Sequence, residues 1–329
     1  MEEFMDLIKD VYYSKDYVSL YLRSGDSIFD FKYEKDGEVF YNISIKRPIK
    51  SVAGLDIKDG FYDLETAYGY GGYYTNSNNK DFILSAMEEY KNRCLEEKIV
   101  AEFIRFHPFN NFPVKFGDVL DMNLYDRDVV YIDLSLTKDE RWSNYSRKLR
   151  NELRKSSREL EFKRSYDIRE FTSLYKETMK KNCAGSFYFF DKKYFEEIMK
   201  NDKFQLYKVE KDGKIIFGSL FIFSDDFVHC HLSASDYEMR KCRAGSFVLD
   251  AAFDIARENN KKCFLLGGGS TNSADNGLFK YKKKFSPFTK PFYISGNIYN
   301  REVYSEYNRL WERNSNRDVK YFLKYRLEV

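Results

Sequence analysis

One tetrapeptide occurs twice in this chain, and that repetition constrains the fold more than any other feature. Glu34-Lys35-Asp36-Gly37 sits between β-rich runs, from Phe31 to Tyr33 and from Glu38 to Tyr41, and Glu210-Lys211-Asp212-Gly213 sits between strand-like runs in the same way. Asp-Gly between β-rich segments predicts a tight hairpin, because both central residues must accept positive φ. The element order around the two copies also agrees. Residues 29–106 and the segment from the second tetrapeptide to Leu266 both read strand, turn, strand, strand, helix, strand. Shared order around a shared turn predicts an internal duplication. A length of 329 residues suits two domains of ordinary size. The expected fold is therefore α/β (α+β), with two tandem domains of mixed sheet flanked by helices. The boundaries are drawn at 1–136 and 137–329, and the helix over about 301–316 is free to pack back on the first domain.

The elements between these landmarks follow from periodicity. Phe4, Leu7, Ile8 and Val11 predict a helix over 4–13. Residues 79–97 read as a helix and Val100–Phe106 as a buried strand. Val119–Leu124 and Val129–Leu134 read as two strands around the polar Asp126-Arg127-Asp128. One long helix is expected over 138–160, with Trp142, Tyr145, Leu149, Leu153 and Leu160 as its apolar stripe. Further on come a strand from Phe227 to Ala234, a helix over 245–259 and a strand from Cys263 to Leu266. A strand from Phe292 to Tyr299 and a tyrosine-rich helix from Arg301 to Asn314 complete the reading.

Charge is divided unevenly. Residues 1–136 carry a net charge of −9 and residues 137–329 one of +12, within an overall +3. A basic second half suits a polyanionic partner, although mild charge is also how ordinary domains stay in solution. Arg147, Arg150, Arg154 and Arg158 form a stripe on the expected long helix. From Arg141 to Arg164 there are nine basic residues against three acidic ones. Guanidinium rows fit phosphate contacts, since the fork engages two oxygens at once. A single basic stripe is more commonly a solvated face. Five cysteines without CxxC spacing fit reduced thiols rather than disulfides or zinc. The acidic start lacks the pattern of a signal peptide, and no apolar run reaches membrane-spanning length. The expectation is a cytoplasmic protein, with peripheral attachment to the inner membrane face left open.

Several constellations could carry chemistry. Leu278 to Phe288 interleaves four lysines with four aromatics and no acid, the pattern of a site's lip facing an anion. Tyr68-Gly69-Tyr70-Gly71-Gly72 offers rings to stack on a ligand and glycines to let backbone approach it, or equally a tight turn. His229 and His231 share one face of a strand. Without a third ligand they are read as strand residues lining a site, and no metal is expected. Gly267-Gly268-Gly269 follows a strand and lacks both P-loop and dinucleotide spacing. Its amides could face a reacting carbonyl, or it could simply turn the chain. Arg240-Lys241-Cys242-Arg243-Ala244-Gly245-Ser246 opens a helix, where free amides bind phosphate.

Two resemblances follow from these residues. The last segment resembles the Arg/Gln-x-x-Gly-x-Gly/Ala loop with which GNAT acetyltransferases wrap the coenzyme A pyrophosphate. Arg240 and Gly245 match it, while Arg243 stands where the first glycine should be, a departure that weighs against acetyl-CoA. Leu265-Leu266-Gly267-Gly268, then Tyr281-Lys282-Lys283-Lys284-Phe285, then Pro291-Phe292-Tyr293-Ile294 resembles the C-terminal signature of FemABX-like peptidyltransferases, whose core is Phe-Lys-x-x-Phe. Tyr281 replaces the usual Phe. The Tyr-Gly segment is similar to one in FemAB-like proteins labelled as acetyltransferases. The resemblance implies tandem GNAT-like domains and transfer of an amino acid from aminoacyl-tRNA to the amine of a peptidoglycan-precursor peptide. The long coiled-coil arm of some members is absent. By motif, Lys282 takes the place of the lysine at the reacting ester, with Tyr281 beside it as the second catalytic candidate.

The resulting expectation is an acyltransferase with an aminoacyl-tRNA donor and a lipid-linked or soluble muropeptide acceptor. Candidate substrate-binding residues are Tyr68, Tyr70, Gly71, Gly72, His229, His231, Gly268 and Phe285. Candidate donor or phosphate ligands are Arg147, Arg150, Arg154, Arg240, Arg243, Gly245 and Ser246. No tightly bound cofactor is expected. The alternatives are an acyl-CoA-dependent N-acyltransferase, signalled by an open channel beside Gly245, and a non-catalytic RNA- or nucleotide-binding protein.

Overall fold

The computed structural model describes residues 7–185, 188–273 and 275–329. The chain divides into two compact units, one of residues 1–126 with 291–329 and the other of residues 127–290. The break expected after residue 136 falls ten residues earlier, and residues 291–329 belong to the first unit.

In chain order the elements of the first part are α1 (Lys15–Ser19), β1 (Ser27–Lys35), β2 (Glu38–Pro48), β3 (Ser51–Val52), β4 (Leu55–Asp56), β5 (Tyr62–Glu65), β6 (Tyr74–Thr75), α2 (Lys80–Glu96), β7 (Ile99–Arg105) and α3 (Phe112–Lys115). There follow β8 (Met122–Asp133), α4 (Lys138–Ser143), α5 (Arg147–Glu159), β9 (Glu161–Ser165), α6 (Ile168–Lys181), α7 (Lys192–Ile198), β10 (Phe204–Lys211), β11 (Lys214–Phe223) and β12 (Phe227–Ser235). The chain closes with α8 (Ala244–Glu258), β13 (Cys263–Gly267), α9 (Gly277–Lys283), β14 (Thr289–Ile298) and α10 (Arg301–Asn314).

The duplication is present strand by strand. The first unit pairs β1 with β2 and β2 with β5 antiparallel, β5 with β7 parallel, and β7 with β14 antiparallel. The second unit repeats those senses in β10, β11, β12, β13 and β8. Both hairpins close with two-residue turns. Asp36 and Gly37 have φ of 53° and 83°, and Asp212 and Gly213 have 51° and 75°. Those paired positive values are what Asp-Gly supplies at little steric cost. The second unit adds β9 at the edge, antiparallel to β10.

Three expected elements differ. The strands expected on either side of Asp126-Arg127-Asp128 are a single strand, β8. The polar triplet stays extended, and Arg127 donates to the Gly269 carbonyl at 2.7 Å. The helix expected over 138–160 is two, α4 and α5. Ser146 breaks the run by accepting from Leu149 N as an N-cap. The helix expected over 4–13 is, within the described residues, a pair of short 3-10 turns at Leu7–Lys9 and Val11–Tyr13. Asp10 ends the first turn and caps the second, accepting from Tyr12 N.

Each unit has its own core. In the second, Val130, Phe221, Val248, Phe253 and Phe264 pack with Leu149 and Leu153 of α5. In the first, α10 buries Tyr307 and Trp311 with Val100, Ala101 and Phe103. This packing is why the C-terminal segment joins the first unit. The chain end is then locked, because Tyr325 OH and Arg326 Nε both donate to the buried Asp63 carboxylate at 2.6 Å.

At the centre of the first unit lies a buried carboxylate, Glu102 on β7. It accepts from the hydroxyls of Tyr73, Tyr90 and Tyr299, from Asn42 Nδ2 and from Ser44 Oγ, at 2.7–3.1 Å. Burial raises its pKa, and the tyrosine and asparagine hydrogen bonds oppose that rise. Removing the acceptor strands several buried donors, each costly to leave unpaired. Glu102→Ala is therefore expected to lower unfolding free energy by about 3 kcal/mol, read as a shifted urea midpoint. A change under about 0.5 kcal/mol would mean the donors repair themselves.

Candidate active site

The second unit's site begins where strand pairing stops. β12 and β13 run parallel for only three pairs, Phe227 with Cys263, Val228 with Phe264 and His229 with Leu265. Beyond them His231 is an extra residue on β12, since Phe221 faces Cys230 while Leu220 faces Leu232. Such a bulge re-aims side chains next to it.

α9 carries the basic, aromatic stretch that the sequence marked as a lip. Asn276 starts the helix by accepting from Leu278 N and Phe279 N. Phe285 just beyond it is a core anchor, 2% exposed, with edge-on ring contacts to Tyr145, Phe253 and Tyr281. It holds α9 in place rather than lining a substrate surface. The four lysines then divide. Lys280 pairs with Asp275 at 2.8 Å, Lys283 donates to the Pro287 carbonyl at 2.6 Å, and Lys284 lies over the Tyr281 ring. Lys282 turns inward, and its ammonium donates to the Gly268 carbonyl at 2.7 Å.

Burial lowers the Lys282 pKa to about 8, with the Arg127 charge pushing the same way and the Cys230 thiol opposing it. At neutral pH this side chain is still mainly a cation, but a poorly hydrated one, which suits it to meet developing negative charge. The Gly267–Gly269 loop positions it by presenting carbonyls. Gly268 accepts from Lys282, and Gly269 accepts from Arg127. A Cβ on Gly268 would stand 2.8 Å from Arg127 Cδ and 3.1 Å from the Asp128 carbonyl oxygen, so only glycine fits.

Beside Tyr281 opens a cleft of ≈ 260 Å³. Its walls include Phe217, Glu152, Arg240, Arg243, Gly245 and Tyr281. It lies at the carboxyl end of β12 and the N-terminus of α8, where open α/β sheets bind ligands. At the start of α8 the Ser246 and Phe247 amides already donate to the Arg243 carbonyl, at 3.1 and 3.2 Å, so it is the Ala244 and Gly245 amides at the positive end of the helix that favour an anion. Ser246 Oγ donates to Tyr281 OH at 3.3 Å, and burial pushes that phenol up to about 12. Tyr281 is thus a neutral hydroxyl on the cleft wall. Gly245 is required by packing, since a Cβ there would meet the Phe217 ring at 2.9 Å.

Arg243 shows why a glycine belongs in the resembled loop at this position. Its φ and ψ are 58° and 27°, a left-handed conformation immediately before α8. Its side chain pairs with Glu152 of α5 at 3.4 Å. The arginine therefore carries backbone strain that glycine would not, and adds a charge at the cleft wall.

The remaining candidates divide between sites and scaffold. Arg150 is structural, donating to the carbonyls of Trp142 and Tyr145 and so capping α4. Arg154 is exposed and stacks over Trp142, and Arg147 is exposed. His231 is buried and hydrogen-bonded with Tyr194 OH at 2.6 Å, and burial drives its pKa down to about 3. His229 is buried against the Phe227 ring. Both therefore sit within the fold rather than on a substrate surface. Tyr68, Tyr70, Gly71 and Gly72 belong to the first unit. Tyr70 packs edge-on to Tyr12, His107 and Phe292, and Tyr68 stacks on Tyr21. A Cβ on Gly72 would meet Phe106 at 2.5 Å, so close packing accounts for that glycine. Cys230, between the two histidines of β12, and Glu152 were given no functional role from the sequence, and the fold alone brings them to Lys282 and Arg243.

Comparison with known proteins agrees with this architecture. Residues 141–283 match the family model of the acetyltransferase (GNAT) domain. No curated protein matches the chain. Among solved structures, FemX superposes with a TM-score of 0.70 at 14% identity, covering 92% of this chain and 94% of that one. L-PGS from Bacillus licheniformis gives 0.51 at 11% identity, covering 88% and 90%. A tandem GNAT protein from the clavulanic acid biosynthesis pathway gives 0.50 at 8%, covering 85% of each chain. The fold is FemABX-like and of the tandem GNAT type, and the GNAT domain over 141–283 makes the class of enzyme an acyltransferase. Among the described residues, no helix is long and apolar enough to cross a membrane.

Relief of strain at the left-handed position gives a direct check. Arg243→Gly is expected to stabilise the protein by about 1 kcal/mol, because its Glu152 partnership is half-exposed and contributes little. Chemical denaturation reads this, and destabilisation would show that the ion pair outweighs the backbone.

Proposed function

We propose that the protein transfers an amino acid from aminoacyl-tRNA to the amine of a peptidoglycan-precursor peptide, lipid-linked or soluble. The observation that carries this reading is the inward Lys282 ammonium, fixed by the Gly268 carbonyl in the unit that also holds an anion-suited cleft. Attack of an amine on an ester creates an oxyanion. A preorganised cation in a partly dry site lowers that barrier without a protein nucleophile. Tyr281 supplies a neutral hydroxyl beside it, and the first amides of α8 with Arg243 suit the donor's phosphate. The second unit would take the donor and the first unit the acceptor. The net charge of +12 over residues 137–329 and the exposed Arg147 and Arg154 suit a tRNA.

A second reading, an acyl-CoA-dependent N-acyltransferase, is favoured by one observation. The cleft beside Gly245 is open, which is where a GNAT domain would hold pyrophosphate. Against it stands Arg243 in place of the loop's glycine. Thermal shift separates the two. A rise in melting temperature with acetyl-CoA, and none with aminoacyl-tRNA, would install the second reading.

Two outcomes are expected of the first. Lys282→Ala should lower the transfer rate about 100- to 1,000-fold with the fold intact. In the native protein the rate should fall as pH rises through about 8, because the ammonium loses its proton there. Lys282→Arg should move that limb to higher pH, and a limb that stays put would remove Lys282 from the chemistry. tRNA affinity should drop steeply with salt, and Arg147→Glu with Arg154→Glu should flatten that slope by about 1 to 2. Binding insensitive to salt would exclude this donor. Arg150 is left out of the test because its guanidinium caps α4.

A further inference from the structure

We propose that Tyr237 and Arg240 form a stacking subsite for the adenosine of the acyl donor, at the edge of the cleft. This rests on the reading that the cleft takes the donor, and adds to it where the donor's base lies. Tyr237 is a large aromatic, 51% exposed, in the loop between β12 and α8. The same loop supplies Asp236, Met239 and Arg240 to the cleft wall.

The platform is built rather than incidental. The Arg240 guanidinium lies 4.0 Å from the Tyr237 ring centroid. Its Nη1 also donates to the Tyr237 carbonyl at 3.4 Å, so the plane is held by its own loop. Lys181, from the last turn of α6, brings its ammonium within 5.3 Å of the same ring. Thr178 ties α6 to the base of the loop, its Oγ1 accepting from Ser235 N at 3.0 Å. Asp236, the acid just before Tyr237, is already paired with Lys214 at 2.8 Å, so it does not cancel these cations. An exposed ring beside a flat guanidinium is how proteins stack a nucleobase without reading its sequence. The adjacent ammonium suits the phosphate joined to that nucleoside. Both an aminoacyl-tRNA end and a coenzyme A carry adenosine and phosphate, so the shared ligand chemistry is an adenine nucleotide.

The test compares adenosine diphosphate with inorganic pyrophosphate on the full chain by calorimetry, for the native protein, Tyr237→Ala and Tyr237→Phe. The expected result is tighter binding of the diphosphate than of pyrophosphate. That advantage should fall about 5- to 100-fold in Tyr237→Ala and persist in Tyr237→Phe, with pyrophosphate affinity unchanged throughout. No advantage in the native protein, or one that survives Tyr237→Ala, overturns the subsite. Coenzyme A and an oligonucleotide ending in ACCA then identify the source, as the one whose affinity falls in Tyr237→Ala. If neither falls, the subsite is overturned. Loss of adenosine binding on Tyr237→Ala in a protein without transfer activity would leave the subsite standing and sink the enzymatic reading. Transfer with an unaltered donor KM in Tyr237→Ala would do the reverse.

Discussion

The site depends on how briefly β12 and β13 pair. Three parallel residue pairs hold the two strands together, and then the pairing ends. A parallel ladder continued further would spend its backbone donors and acceptors on itself and leave no place for a ligand at the strand ends. Because it stops, the glycine loop after β13 can give its carbonyls to Lys282 and Arg127. The bulge at His231 lies just past the last pair and keeps β12 in its antiparallel ladder with β11. Its imidazole is neutral and hydrogen-bonded to Tyr194, so the bulge is anchored by packing and not by charge.

A charged lysine in this setting has to be held and cannot be fully hydrated. One carbonyl bond leaves it donors to spare, while burial has already made the ion less comfortable, as its lowered pKa records. This is the state in which an ammonium gains most from an oxyanion that appears only during reaction. The same sequence stretch carries three other lysines that are occupied by Asp275, by the Pro287 carbonyl and by the Tyr281 ring. Four adjacent basic residues thus do different work because the short helix α9 turns them in different directions.

How much of this was legible follows from how local each signal is. The two Asp-Gly hairpins and the duplicated order were readable because a two-residue turn with positive φ is written in two residues. Lys282 was readable because its motif is contiguous. The break between α4 and α5 was written in Ser146, but the apolar stripe from Trp142 through Tyr145 to Leu149 runs across it at helical spacing and masks it, while the arginine stripe begins just after it. Arg150 joined that stripe on spacing alone, and only the fold reveals that it caps α4. The polar Asp126-Arg127-Asp128 looks like a turn until Gly269 is seen to accept from Arg127, a contact across 142 residues. No period in the sequence carries information over that distance. The boundary between units was missed for the same reason. Asp63 holds Tyr325 and Arg326, and that bond makes the chain's end part of the first unit.

Arg243 joins the sequence reading to the structural one. The departure from glycine was visible in the sequence, and its consequence is now physical. The backbone there is left-handed, a conformation that glycine takes without strain and arginine does not. Here the guanidinium lies at the wall of the cleft and is tethered by Glu152. A glycine would let a pyrophosphate lie flat against bare backbone. Under the proposed function, an arginine there would hold the donor's phosphate further out and add a positive charge to meet it, a trade that suits a bulkier polyanionic donor better than a coenzyme threaded along the loop.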